Sequence, residues 1–122
     1  MLYREEMRLL SIAALFILAC GTPAATTYSG TCAFKDMNNA PIHCFDYSGA
    51  MDFTSSAKSA CNGANGTWTD SATCARANIV GGCRSEGAGN STTVWYYPAE
   101  ATDAAAVMTA CNASVGYRYV AP

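Results

Sequence analysis

The longest apolar stretch of the chain, residues 9–19, is broken only by Ser11 and ends at Cys20. As a helix it would cover about 16 Å, well short of a bilayer core of about 30 Å. The pattern therefore predicts the apolar centre of an export signal and not a membrane span. Ahead of it, Arg4 and Arg8 are offset by Glu5 and Glu6, whereas a start at Met7 gives the short positive flank Met7–Arg8–Leu9–Leu10. Beyond Cys20 the texture changes. Thr22–Ser29 is small and uncharged, the composition of a tether, and reaches at most about 28 Å when extended.

From Gly30 onward the periodicity is that of short strands with two helices. Gly30–Lys35 predicts an extended first strand, and Asp36–Pro41 a turn. Ile42–Tyr47 alternates, placing Ile42, Cys44 and Asp46 on one face and His43, Phe45 and Tyr47 on the other. A helix capped by Thr54 or Ser55 is expected to run to Asn62 and stop at Gly63. Asn65–Gly66 marks a turn, Thr67–Thr69 a strand and Asp70–Thr73 a loop. Ile79–Arg84 predicts a strand irregular at its glycines, Ser85–Ser91 a mobile Gly-rich loop, and Thr92–Tyr97 the clearest strand, stopped by Pro98. A second helix capped by Thr102 is expected from Asp103 to Asn112, burying Ala104, Val107, Met108 and Cys111. Gly116–Val120 closes the chain as a strand. A short echo runs through this pattern: Ser59–Ala60–Cys61–Asn62 precedes Gly66 as Thr109–Ala110–Cys111–Asn112 precedes Gly116. It suggests two units built alike. The expected fold is α+β: a small antiparallel sheet of about four to five strands with about two helices.

Cysteine usage sharpens the picture. Seven cysteines stand in 122 residues, at wide spacings without a C-x-x-C pair, and His43 is the only histidine. Zinc favours close pairs with several histidines or cysteines; an exported chain of this size favours disulfides. Six cysteines, Cys32, Cys44, Cys61, Cys74, Cys83 and Cys111, then pair among themselves. Fifteen pairings are open to them, of which we expect Cys32–Cys44, Cys61–Cys74 and Cys83–Cys111. The seventh, Cys20, is left over.

The residues Ile17–Leu18–Ala19–Cys20 resemble the lipobox of bacterial lipoproteins, with Leu18 and Ala19 at its aliphatic and small positions and Ile17 where leucine is commoner. The resemblance covers residues 7–21 and leaves the domain undescribed. It implies cleavage before Cys20, a diacylglycerol on its sulfur and usually an acyl chain on its amine. Two or more chains make stable anchors, where one is marginal. Gly21, not aspartate, implies the outer rather than the inner membrane. The alternative is an ordinary secretory signal cut nearby, with Cys20 a free or paired thiol. The chain thus divides into a signal (1–19), a lipidated tether (20–29) and a disulfide-stabilised domain (30–122).

Charge narrows the partners. The mature part carries five basic and seven acidic side chains with no basic stripe, so nucleic acid is not an expected partner. Nucleophile-elbow, zincin, phosphate-loop and dinucleotide motifs do not occur in the sequence, and no metal or cofactor is expected. His43 beside Asp46, and the carboxylates Asp46 and Asp52, are the nearest approach to an acid–base set; a structural or exposed strand histidine and solvated surface carboxylates are the better account of them. The sequons at Asn65, Asn90 and Asn112 bear on function only in a eukaryotic host. Aromatic content is the one feature suggestive of a ligand. Trp68, Trp95 and Tyr97 fall on expected strands, and an uncovered sheet face would present them to a glycan or to peptidoglycan. The same rings would otherwise fill a core in which Ile42 and Ile79 are the only isoleucines after Cys20 and leucine does not occur. The expected function is that of a non-enzymatic envelope module, anchored in the bilayer through Cys20, with an envelope protein or a glycan as its partner.

Overall fold

A computed structural model describes residues 26–122. The expected signal segment, Cys20 and the expected tether up to residue 25 lie outside the described residues. The chain forms β1 (Tyr28–Lys35), β2 (Pro41–Gly49), α1 (Met51–Gly63), β3 (Thr67–Asp70), β4 (Gly81–Gly87), β5 (Asn90–Tyr96), α2 (Ala104–Ala113) and β6 (Tyr117–Val120). All six strands join one antiparallel sheet in the order β3-β1-β2-β5-β4-β6. The fold is α+β and disulfide-rich, with one strand more than the upper expectation.

That order reads as a unit used twice. Each half runs strand, strand, helix, edge strand, and the edge strand returns to pair with the first strand of its own half. Exchanging β2 with β5 also exchanges β1 with β4 and β3 with β6. The register agrees: β2 and β5 pair through Phe45 and Val94, and these two residues occupy equivalent places opposite Cys32 and Cys83. The echo around Cys61 and Cys111 is thus the visible trace of a repeated ββαβ unit.

Directly opposed residues share a sheet face, so the register sorts the side chains. One row, Trp68–Cys32–Phe45–Val94–Cys83–Tyr119, crosses all six strands on the helical face. The next, Thr67–Ala33–Cys44–Trp95–Gly82–Val120, crosses on the reverse face. α1 packs on β1, β2 and β3, while α2 packs on β4 and β6. The reverse face is covered by the connection 71–80. There Cys44, Cys74, Ile79, Trp95 and Tyr97 form one core; Cys83, Val94, Val107 and Cys111 form the other beneath α2.

Three disulfides tie these layers together: Cys32–Cys61, Cys44–Cys74 and Cys83–Cys111, with Cα separations of 5.8, 5.9 and 5.3 Å. The third is as expected. The expected Cys32–Cys44 and Cys61–Cys74 are corrected, and face parity gives the reason. Cys32 opposes Phe45 while Cys44 opposes Ala33, so Cys32 and Cys44 point to opposite faces. Cys32 meets the helix on its side, as Cys83 does in the second half. Cys44 meets the connection on the other.

Smaller expectations shift as well. β1 starts at Tyr28, where Tyr28 and Ser29 pair with Gly49 and Ser48, so these two residues are strand and not tether. α1 begins at Met51, before Thr54; Thr54 is buried inside its first turn, and its hydroxyl donates to the carbonyls of Ala50 or Met51. α2 is capped by Asp103, whose carboxylate accepts from the Ala105 amide at 2.9 Å, and not by Thr102. The segment Ser85–Ser91 is no loop: Gly87 pairs with Asn90, and Ala88 and Gly89, both at positive φ, make a two-residue hairpin turn. Ala88 is an unusual choice there, which hides the hairpin from composition.

The duplication carries a test. A Cβ added at Gly30 would overlap the Trp68 ring, and one at the equivalent Gly81 would stand 2.7 Å from the Tyr119 ring. Each edge aromatic lies over a glycine of its neighbouring strand. We expect Gly30→Ala and Gly81→Ala each to destabilise by about 1–3 kcal/mol through overpacking, read as lowered urea midpoints. Gly63→Ala, with open space around it, should leave the midpoint unchanged or raise it slightly.

Candidate functional site

The three aromatic residues expected to form one platform are dispersed. Trp95 and Tyr97 are only 4% and 3% exposed. They lie in the reverse-face core under the 71–80 connection, so the expected exposed platform is corrected for both. Trp95 donates its indole N–H to Asp46 at 2.8 Å, and the Arg76 guanidinium lies 3.9 Å above its ring. Tyr97 donates its hydroxyl to the Ala75 carbonyl, and burial pushes its pKa up. A sheet poor in leucine and isoleucine uses these rings as filling.

The acid–base combinations are separated too. Asp46 is on the reverse face, where it accepts from the Cys74 amide at 2.8 Å as well as from Trp95. Its work is to fasten the connection. His43 projects from the helical face, and its Nδ1 pairs with Glu100 rather than with Asp46. Asp52 sits in the first turn of α1 and accepts from the Phe53 amide. Among the described residues no three metal-ligating side chains cluster, and no helix is long and apolar enough to cross a membrane.

On the helical face, by contrast, rings gather. Phe34, His43, Phe45 and Tyr47 follow one another at centroid distances of 4.7, 5.4 and 5.9 Å. Tyr47 then meets Phe53 at 6.1 Å and Trp68 at 5.7 Å. The alternation of Ile42–Tyr47 foretold the shared face of His43, Phe45 and Tyr47; the rings that complete the strip, from β1, β3 and α1, needed the tertiary fold. Burial raises the pKa of Tyr47, with a smaller push from Tyr117.

Trp68 ends this strip and also borders an open cleft. The cleft holds about 290 Å³ between α1, the start of β1 and the end of β3. Met51, Thr54, Ser55 and Lys58 line it from α1 at helical spacing, and Tyr28, Asp70 and Ser71 line it from the sheet edge. Asp70 is the organising group. It accepts the Trp68 indole N–H at 2.7 Å and a hydrogen from the Lys58 ammonium at 3.3 Å. Those two bonds, the Trp68 one foremost, hold the Asp70 carboxyl below the ordinary carboxylate range. Nothing in the sequence marked Lys58, Asp70 or Tyr28 as site residues; only the return of β3 beside β1 brings them together.

Comparison with known protein families, characterised proteins and solved structures returned no match.

The depressed pKa of Asp70 fixes a sign. A carboxyl whose folded pKa lies below its unfolded one contributes its interaction at higher pH, and loses it as pH falls through the folded value. We therefore expect Trp68 emission to be constant from pH 7 to about 4 and to shift below that. Asp70→Asn should abolish the shift. In Trp68→Phe, the remaining Trp95 emission should resist acrylamide quenching, which reports its burial directly.

Proposed function

We propose that this chain is an exported, membrane-tethered module of the bacterial envelope that binds a partner without performing chemistry on it. The observation that carries the reading is the use of six cysteines in three disulfides. Such bonds persist in oxidising compartments beyond the cytoplasm, so they support export by the apolar segment 9–19. They also leave Cys20 as the odd cysteine, free for the lipid that its lipobox-like surroundings invite. Gly21 favours the outer membrane.

The non-enzymatic part of the reading is supported by where the polar groups go. Asp46 is engaged with the Trp95 indole and the Cys74 amide, and Asp52 with its own helix. His43 and Asp46 face opposite sides of β2. A half-open aromatic strip and a mixed polar–aromatic cleft beside the entry of β1 suit recognition better than catalysis.

Acyl labelling tests the anchor. Expressed in a bacterium fed a clickable palmitate analogue, the full chain should take up label and partition with membranes. Cys20→Ser should lose the label and move to the soluble envelope fraction, with its three disulfides intact. An unlabelled wild-type protein, or a Cys20→Ser variant still carrying label, would contradict the anchor.

A further inference from the structure

We propose that the cleft beside Trp68 binds one unit of an uncharged saccharide chain. The inference deepens the binding role proposed above and rests on it only for the expectation that a partner exists. The chemistry of the cleft selects the ligand. Its two charged side chains, Lys58 and Asp70, are paired with each other at 3.3 Å, so the lining has no net charge to offer an ionic ligand. Hydroxyl groups prevail around them, with Tyr28, Ser55 and Ser71 among the lining. An apolar ligand would leave these groups without partners and be penalised for their desolvation. A polyol would satisfy them.

Trp68 supplies the complementary surface. Its ring is placed over Gly30, tilted against Tyr47 at 5.7 Å, and fixed in azimuth by the bond from its indole N–H to Asp70. A ring held in this way is a pre-organised wall for the C–H face of a pyranose, since little side-chain freedom remains to be lost on binding. The second Asp70 oxygen, held by Lys58, can accept a sugar hydroxyl, and the ammonium has further hydrogens to donate. The volume of about 290 Å³ lies at the small end of ligand sites, fitting a single sugar unit. The cleft opens at the surface, so a longer saccharide can extend out of it. Its position at the start of β1 places it at the tether end of the domain.

The test uses full-length mature protein in detergent and three neutral trisaccharides as probes: chitotriose, cellotriose and maltotriose. Tri-galacturonate serves as the anionic comparison. At least one neutral trisaccharide should give a saturable change in tryptophan emission, and the anionic one should bind at least about tenfold more weakly. The emission change should vanish in Trp68→Phe, whose buried Trp95 keeps reporting an intact fold. Calorimetry should show Asp70→Asn and Lys58→Ala each weakening the best neutral ligand by about tenfold, the scale of a lost charge-assisted hydrogen bond. Absence of saturable binding by all three neutral probes overturns the site. So does equal binding of tri-galacturonate, or binding unaltered by Asp70→Asn. Each of these results leaves the lipid anchor standing, because acyl labelling reads that separately.

Discussion

Sulfur bridges between the sheet and what covers it are the constraint from which the rest of this domain follows. After Cys20 the chain has two isoleucines and no leucine, so neither helix can be held by an aliphatic face alone. α1 buries only Thr54 and Cys61, and α2 only Val107 and Cys111. Each helix is instead bonded to the strand beneath it, and the 71–80 connection is bonded to β2 on the reverse face. The closed loops span 28 to 30 residues, for which chain-entropy reasoning gives about 3–4 kcal/mol per bridge. Set against a typical net stability of about 5–15 kcal/mol, that makes oxidation a condition of folding here.

The two halves use this device alike and then diverge. Cys32 with Cys61, and Cys83 with Cys111, close equivalent bridges, and Trp68 and Tyr119 lie over equivalent glycines. The bridge from Cys44 to Cys74 has no counterpart, because Thr93 stands where symmetry would place the second cysteine. Asymmetry of this kind assigns different work to each side. The connection that Cys74 anchors seals Trp95 and Tyr97 away, while the edge at β3 leaves Trp68 beside an open cleft whose lysine and aspartate neutralise each other. Tyr119, its equivalent, is instead packed against the core beneath α2.

Much of the fold was legible because period-two alternation survives in β2 and because β5 is rich in β-branched and aromatic residues. The face of His43, Phe45 and Tyr47 followed directly from spacing, and the repeated cysteine-to-glycine interval pointed to the duplication. Other features were hidden for physical reasons. The β4–β5 hairpin is polar at its tip and turns at Ala88, so no turn dipeptide announces it. Disulfide pairing depends on which face each cysteine meets and what lies over that face, which only the sheet register supplies. The cleft combines Lys58, Trp68 and Asp70 with Tyr28 from a strand that starts earlier than its composition suggests. Of the three rings singled out in the sequence, Trp68 alone stands at the surface, because the connection covers the other two.

The most direct measurement is a disulfide map of the purified protein, digested without reduction and read by mass spectrometry. The account predicts three cross-linked peptides joining Cys32 to Cys61, Cys44 to Cys74 and Cys83 to Cys111, with no free thiol at these positions. A peptide joining Cys32 to Cys44, or free thiols at Cys61 and Cys111, would contradict it, since either would detach a helix from the strand it covers.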